Sequence, residues 1–355
     1  MTSTSQKRIL IAPLNWGLGH ATRCIPIIKA LVSQGLTPII ASDGAALALL
    51  RKEFETLTCI ALPSYQIRYS KNAGFFKLKM LQNTPKILRA IKKEHRLTSE
   101  LVKAHQIDGI ISDNRFGVYH EDIPSVFITH QLQVLSGNTT WLSTRIQHKL
   151  IKRFDACWVP DVEDSSNLSG RLGHGSTSGL NIKYVGPLSR FSKKNTDFVY
   201  DLLILLSGPE PQRTLLEEKL LKELANHEGQ ILLVKGKVEE AQEVSEEKNW
   251  TSYNFMTSSQ LEQAINASKL VVSRSGYTSI MDLSKLDKKA FFIPTPGQFE
   301  QEYLARRMAK LGLAPFCKQS EFNVAMLVEV ERYKGLSHLD CPTDFKSLFS
   351  LFERE

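Results

Sequence analysis

Short apolar runs alternate with helical periods along nearly the whole chain, and this alternation restricts the fold more than any other feature. Ile9-Leu10-Ile11-Ala12 reads as a buried strand, and a helical pattern follows through Ile25, Ile27, Ile28, Leu31 and Val32. Further strands are expected at Thr37–Ala41, Thr58–Leu62, Gly109–Ser112, Ser125–Thr129 and Ala156–Val159. Helices are expected at Asp43–Arg51 and Lys86–Ala104, the latter opening after Pro85. Tyr184-Val185-Gly186-Pro187-Leu188 closes this half, and the polar Ser192-Lys193-Lys194-Asn195 marks a linker near 187–198. A second alternation begins at Leu202-Leu203-Ile204-Leu205-Leu206. Its strands are expected at Ile231–Val234, Leu270–Ser273, Ala290–Ile293 and Ala314–Cys317. Its helices are expected at Gln212–Ala225, Ser258–Asn266, Thr278–Lys285, Phe299–Leu311 and Asn323–Tyr333, with a terminal amphipathic piece at Asp344–Phe352. Such a pattern predicts parallel βαβ units in doubly wound sheets, and 355 residues suit two such domains.

The first strand leads into Leu14-Asn15-Trp16-Gly17-Leu18-Gly19-His20. In an open parallel sheet ligands bind at the carboxyl ends of strands, so this glycine turn is a candidate ligand wall. His20 lies at its exit and has the residue type of a general base. It could equally brace its own helix. Asp113, at the end of Ile110-Ile111-Ser112-Asp113, is either a turn residue or the partner that orients His20. His130, at the next strand end, is a rival base. Arg23 is read as a cleft-facing or solvated first-turn residue and stays outside the catalytic pair. Asp161-Val162-Glu163-Asp164 is the tightest acidic cluster and reads as a cap on a surface helix; there is no DxD motif.

Three strand ends of the second half carry small or polar residues: Ser207-Gly208-Pro209-Glu210, Ser273-Arg274-Ser275-Gly276, and Pro294 through Gln301. Glycines at Gly208 and Gly276 would let backbone approach a phosphate, and helix N-termini favour anions. Arg274 could add positive charge there.

Taken together, Gly17-Leu18-Gly19-His20, Gly186-Pro187, Ser273-Arg274-Ser275-Gly276 and Glu300-Gln301 resemble the GT-B glycosyltransferases. The similarity is greatest to the branch holding the peptidoglycan N-acetylglucosaminyltransferase, plant galactolipid synthases and UDP-glucuronosyltransferases. It runs over roughly residues 8–318 and is strongest from Val271 to Ala305. The resemblance implies two Rossmann-like doubly wound α/β domains facing across a cleft. Residues 1–188 would bind the acceptor and 189–340 the nucleotide sugar, with 341–355 a C-terminal helix packing back on the first domain.

Carried over by position, Ser275 and Gly276 match the donor-diphosphate turn, with Arg274 beside them. Asp282 matches the acidic position that binds the ribose hydroxyls, and Glu300 and Gln301 match the acidic-Gln pair on the donor sugar. Ser207 and Gly208 match the first phosphate-side turn, and Gly17 and Gly19 the acceptor-side loop. Two departures stand out: Leu304-Ala305 replaces the common Asn-Ala, and Gly-Leu-Gly-His replaces the Gly-Gly before His of the peptidoglycan enzyme. The implied activity is inverting transfer of a sugar from a UDP-sugar to a hydroxyl acceptor such as a lipid or glycan. His20 and Asp113 would be catalytic, and neither metal nor cofactor is expected. A nucleotide-sugar epimerase of the same fold and a non-catalytic binder of anionic lipid or polysaccharide are the alternatives.

Composition bears on location and partners. Five cysteines, Cys24, Cys59, Cys157, Cys317 and Cys341, are dispersed with no CxxC, which suits reduced thiols. The polar Met1–Lys7 and the short apolar run behind it match neither a signal peptide nor a span, so a soluble cytoplasmic protein is expected. The formal net charge is +8, of which +7 falls between Lys71 and His105, where nine Lys and Arg residues face only Glu94 and Glu100. Lys77, Lys79, Lys86 and Lys93 accompany Phe75, Phe76, Leu78, Met80 and Leu81. This segment is either a solvated basic face or a patch for peripheral contact with an anionic membrane. No nucleic-acid module is recognisable.

Overall fold

The computed structural model describes residues 6–64, 76–134, 140–175, 179–208, 210–237, 239–336 and 342–353; for 76–87 it describes the backbone only. These residues divide into two compact units, one ending at Leu188 and also holding 342–353, the other running from Ser189 to 336.

In the first unit the strands are β1 (Arg8–Pro13), β2 (Thr37–Ser42), β3 (Cys59–Ala61), β4 (Gly109–Asp113), β5 (Ser125–Ile128), β6 (Ala156–Val159) and β7 (Ile182–Tyr184). They form one parallel sheet in the order β3-β2-β1-β4-β5-β6-β7. The connecting helices are α1 (Gly19–Ser33), α2 (Gly44–Glu53), α3 (Phe76–His105) and α4 (Thr140–Ile151). Strand order reverses between β1 and β4, which is where an open α/β sheet parts to leave a ligand crevice. Register pairs Pro13 with Asp113 at that point. The central strands are buried on both faces and read as unbroken apolar runs for that reason.

The chain returns to this unit at its end. Helix α9 (Phe345–Phe349) and the 3-10 turn Ser350–Glu353 bury Phe349 and Phe352 beside Trp158. The Phe352 ring lies so close to Gly109 that a Cβ there would sit 2.3 Å from it, so that strand position needs glycine. Burying such a ring contributes about 2–3 kcal/mol.

The second unit contains β8 (Tyr200–Leu205), β9 (Ile231–Val234), β10 (Val244–Glu247), β11 (Trp250–Tyr253), β12 (Ser268–Ser273) and β13 (Lys289–Phe292). Their order is β10-β11-β9-β8-β12-β13, parallel except for the β10 edge. Helices α5 (Gln212–Glu223), α6 (Ser258–Asn266), α7 (Tyr277–Lys285) and α8 (Phe299–Lys310) complete it. Thr257 and Gln260 form a capping box at the start of α6. Here the order reverses between β8 and β12, the same switch point as in the first sheet.

Several sequence expectations change. Helix α3 continues through Pro85 instead of starting after it, since one proline removes a single backbone donor and the flanking pattern stays in phase. Residues Asn323–Tyr333 form a 3-10 segment, Val324–Arg332, with Val330 as its buried side chain. Ala314–Cys317 makes only an isolated bridge between Phe316 and Phe292, because Pro315 has no N–H to extend a ladder. Helix α4 and the β10–β11 hairpin have no counterpart among the expected elements. The first turns Trp141, Leu142 and Ile146 outward, and all of β10 is exposed, so neither carries a core-facing period. Among the described residues no helix is long and apolar enough to cross a membrane.

Candidate active site

Two groups of residues gather at the two switch points. In the first unit β1 ends at Pro13, the chain turns through Gly17, and α1 begins at Gly19. Gly17 has φ +76° and open space around its absent Cβ, so backbone conformation alone demands glycine there. His20 is the second residue of α1, and Asp113 ends the neighbouring strand β4. Adjacency of β1 and β4 therefore brings together two residues 93 positions apart, with His20 Nδ1 2.8 Å from Asp113 Oδ1.

Arg23 belongs to the same cluster, which corrects the expectation of a solvated or merely cleft-facing residue. It is 1% exposed. One helical turn beyond His20, it forks onto Asp113 with Nε donating to Oδ2 and Nη2 to Oδ1. Its Nη1 lies 2.9 Å from Nδ1 of His130, itself buried at the end of β5. Burial alone would raise the Asp113 carboxyl, but Arg23 and His20 outweigh it and hold the group well below the usual carboxylate range. For His20, burial lowers the imidazole, Asp113 opposes, and Arg23 and His130 reinforce the lowering.

A second buried arginine supports the turn from behind. Arg115 donates to the Pro13 carbonyl at 3.0 Å and to Glu94 at 2.6 Å, and its other Nη reaches Asp43. Asp43 in turn accepts from Asn15, whose Oδ1 accepts from the Ala46 amide at the start of α2. The loop carrying Trp16 is thus pinned on its N-terminal side, at Pro13 and Asn15. Asp161 is not a surface-helix cap. It is fully buried, accepts from the backbone N–H of Val162, Leu168 and Ser169, and shapes the loop after β6.

In the second unit Ser207 and Gly208 follow β8. Gly208 has φ +98°, a conformation reserved for glycine. Ser273 ends β12, Arg274-Ser275-Gly276 follow it, and Gly276 caps α7. A Cβ on Gly276 would find nothing nearer than 4.0 Å, so packing does not require glycine there and the space above the α7 N-terminus stays open. The Ser275 hydroxyl donates to the Gln301 carbonyl at 2.8 Å, and Gln301 Oε1 accepts from the Thr295 amide at 2.8 Å. These bonds lace the β12 turn to the first turn of α8, where half-buried Glu300 also sits.

Arg274 does not offer its charge to a ligand. It is fully buried and donates to the carbonyls of Ile293, Pro294 and Gln212 and to Gln319 Oε1. Burial pushes it down to about 10. It acts as an internal clamp on three strand-end segments. Asp282, on α7, accepts from the Ser189 hydroxyl at 2.6 Å. Burial pushes its carboxyl up to about 6, against the opposing pull of Arg190 and Ser189. Leu304 and Ala305, the departure noted in the sequence, are fully buried core residues.

The roles of Arg23, Arg115 and Arg274 escape sequence reading because each has a partner far along the chain, Asp113 90 positions from Arg23, Asp43 72 from Arg115 and Gln212 62 from Arg274. The sole sequence signal is the presence of arginine directly beside a strand end or a glycine turn.

Residues 211–332 match the glycosyltransferase family 28 C-terminal domain. No curated protein sequence matches the chain. Similar solved structures include MurG of Acinetobacter baumannii, at 14% identity and TM-score 0.57 over 98% of this chain and 100% of that one. The glycosyltransferase SnogD of Streptomyces nogalater has 11% identity and TM-score 0.62 over 98% and 99%. The spinosyn rhamnosyltransferase SpnG, complexed with thymidine diphosphate, has 13% identity and TM-score 0.61 over 98% and 95%. The chain shares the fold of these GT-B glycosyltransferases, and its residues 211–332 carry a glycosyltransferase family 28 C-terminal domain.

Proposed function

We propose that the protein is an inverting glycosyltransferase that moves a hexose-type sugar from a UDP-sugar to a hydroxyl acceptor, a lipid or a glycan, without a bound metal. The observation that carries this reading is the family 28 match, which spans every candidate donor residue from Ser273 to Gln301. The N-terminal unit, with Gly17 and Gly19 in its acceptor-side loop, supplies the base. The C-terminal unit holds the donor.

In the reaction the acceptor hydroxyl loses its proton to Nε2 of His20 while its oxygen bonds to the anomeric carbon. The bond from that carbon to the diphosphate oxygen breaks, and UDP leaves with the electron pair. Backbone N–H groups at Gly276 and the α7 N-terminus stabilise the charge growing on the diphosphate, with Ser207 and Gly208 at the neighbouring strand end. Asp282 accepts from the ribose hydroxyls, and Glu300 and Gln301 hold the sugar. Arg274 serves by bracing these loops. A similarly folded rhamnosyltransferase complexed with thymidine diphosphate supports a nucleoside diphosphate as the donor's leaving group.

Peripheral contact with an anionic membrane at a cytoplasmic face goes with a lipid acceptor. Support comes from α3, which buries Ile91 and Leu101 and exposes Arg89, Lys92, Lys93, Arg96 and Lys103. The side chains of Lys77, Lys79 and Lys86 lie outside the described residues, as do Lys71, Phe75 and Cys341.

A thermal-shift panel of UDP-, dTDP- and GDP-sugars tests the donor assignment. A ligand at 100 times its Kd adds about 2.7 kcal/mol to stability by mass action. UDP-sugars should raise the transition most. Stabilisation by dTDP-sugars alone would overturn the choice of nucleotide, and free 2-epimerised sugar without an acceptor would replace transfer by epimerisation.

A further inference from the structure

A histidine–carboxylate pair does not account for the buried guanidinium of Arg23. Three atoms form a close triangle: Arg23 Nη2, Asp113 Oδ1 and His20 Nδ1. The two nitrogens are 2.9 Å apart and Oδ1 is 2.8 Å from Nδ1. Arginine can only donate, and an ionised carboxylate can only accept. If Nδ1 carried a lone pair, it would face a carboxylate lone pair at hydrogen-bond distance. A proton on Nδ1 removes that conflict, and both nitrogens then donate to Oδ1. The remaining carboxylate oxygen takes Arg23 Nε–H and the Cys24 thiol at 3.7 Å. Nη1 reaches the acceptor nitrogen of His130, which fixes the guanidinium plane from a third element.

We propose that Arg23 is a positioning residue for the base: it clamps Asp113, anchors on His130, and so holds His20 in the Nδ1–H tautomer, uncharged at neutral pH, with Nε2 free to accept a proton. This inference rests on the reading of His20 as the base of glycosyl transfer.

The charges facing His20 support it. Asp113 comes from β4, Arg23 and Cys24 from α1, and His130 from the segment after β5. Burial holds the Cys24 thiol well above its ordinary range, with Asp113 adding to the effect, so it contributes no charge. In a serine-type triad the carboxylate meets the imidazole without a neutralising cation and stabilises imidazolium. Here the carboxylate is already forked to a permanent cation. An imidazolium would sit beside a net-neutral ion pair, and burial adds to its cost. The arrangement favours a base that starts the cycle unprotonated.

The test is long-range 1H–15N spectroscopy of the full chain labelled at histidine, which needs neither donor nor acceptor. The His20 signal is assigned by its absence in His20→Gln. Wild-type protein should show Nδ1–H with an unprotonated Nε2, and a His20 protonation midpoint below that of an ordinary histidine. Arg23→Gln should raise its midpoint by on the order of one pH unit or more, a tenfold gain in the protonated fraction. Arg23→Lys keeps the charge and should hold the midpoint within about half a unit of wild type. An Nε2–H tautomer in the wild type overturns the proposal without any variant. So does a folded Arg23→Gln protein with an unmoved midpoint. If Arg23→Gln does not fold, a rise of a full unit in Arg23→Lys overturns it instead. Undiminished turnover in His20→Ala would sink the base reading alone, whereas an unmoved midpoint in Arg23→Gln sinks the role of Arg23 alone.

Discussion

Replacing Asp282 by Asn separates stability from donor binding at one position. Burial pushes this carboxyl up to about 6, whereas an unfolded chain holds it near ~3.9. The folded protein therefore binds a proton that the unfolded chain has released between those two pH values. Stability from this group is fully present below the unfolded value and is lost as pH rises through the folded one. At pH 7 the ionised, half-buried carboxylate opposes folding. Two pK units at ~1.4 kcal/mol each set an upper limit of ~3 kcal/mol, and partial solvent access reduces it to about 1–2 kcal/mol. Asparagine keeps the shape and an acceptor for Ser189 but carries no charge. Asp282→Asn should thus raise the melting transition at pH 7 by roughly 2–6 °C, with little gain at pH 4. It should at the same time weaken UDP binding, because an amide accepts ribose hydroxyls less well than a carboxylate. Calorimetry at pH 4 and pH 7, with and without UDP, reads both effects. A variant that is destabilised at pH 7, or equally stabilised at both pH values, refutes the burial argument; unchanged UDP affinity refutes the ribose role.

Other outcomes are expected. His20→Ala should cut turnover by about 10²–10⁴-fold with UDP binding nearly intact, measured by steady-state kinetics and titration. Arg274→Met should lower stability by about 2–4 kcal/mol in urea unfolding, because it strands the carbonyls of Gln212, Ile293 and Pro294. Changing Lys77, Lys79, Lys86 and Lys93 together to Gln should reduce sedimentation with anionic vesicles and leave neutral vesicles unaffected; equal binding to both would leave the basic face merely solvated.

Much of the fold is legible because most strands are central strands of parallel sheets. Ile9-Leu10-Ile11-Ala12 and Ile231-Leu232-Leu233-Val234 are buried on both faces, so they stand out as unbroken apolar runs. Helices with one buried stripe, such as α7 and α8, show their period. Elements that make little core do not: α4 points Trp141, Leu142 and Ile146 outward, and β10 exists through its pairing with β11. Local chemistry also marks Gly17 and Gly208, both at positive φ, as unusual backbone positions before any coordinates are known.

Partnerships across the chain were decided only by tertiary structure. Composition and period cannot tell that β1 lies against β4, and that single adjacency sets His20 beside Asp113. Nor can they tell which arginines are interior. Arg23, Arg115 and Arg274 look like ordinary charged residues in sequence, yet each is buried and donates to acceptors from distant segments. A buried cation is tolerable only when its donors are met, and those acceptors assemble only when the sheet forms. The sequence by itself determined two doubly wound units and the strand-end turns that interrupt them. The direction of each charged side chain, and with it the protonation state of His20, belongs to the folded protein.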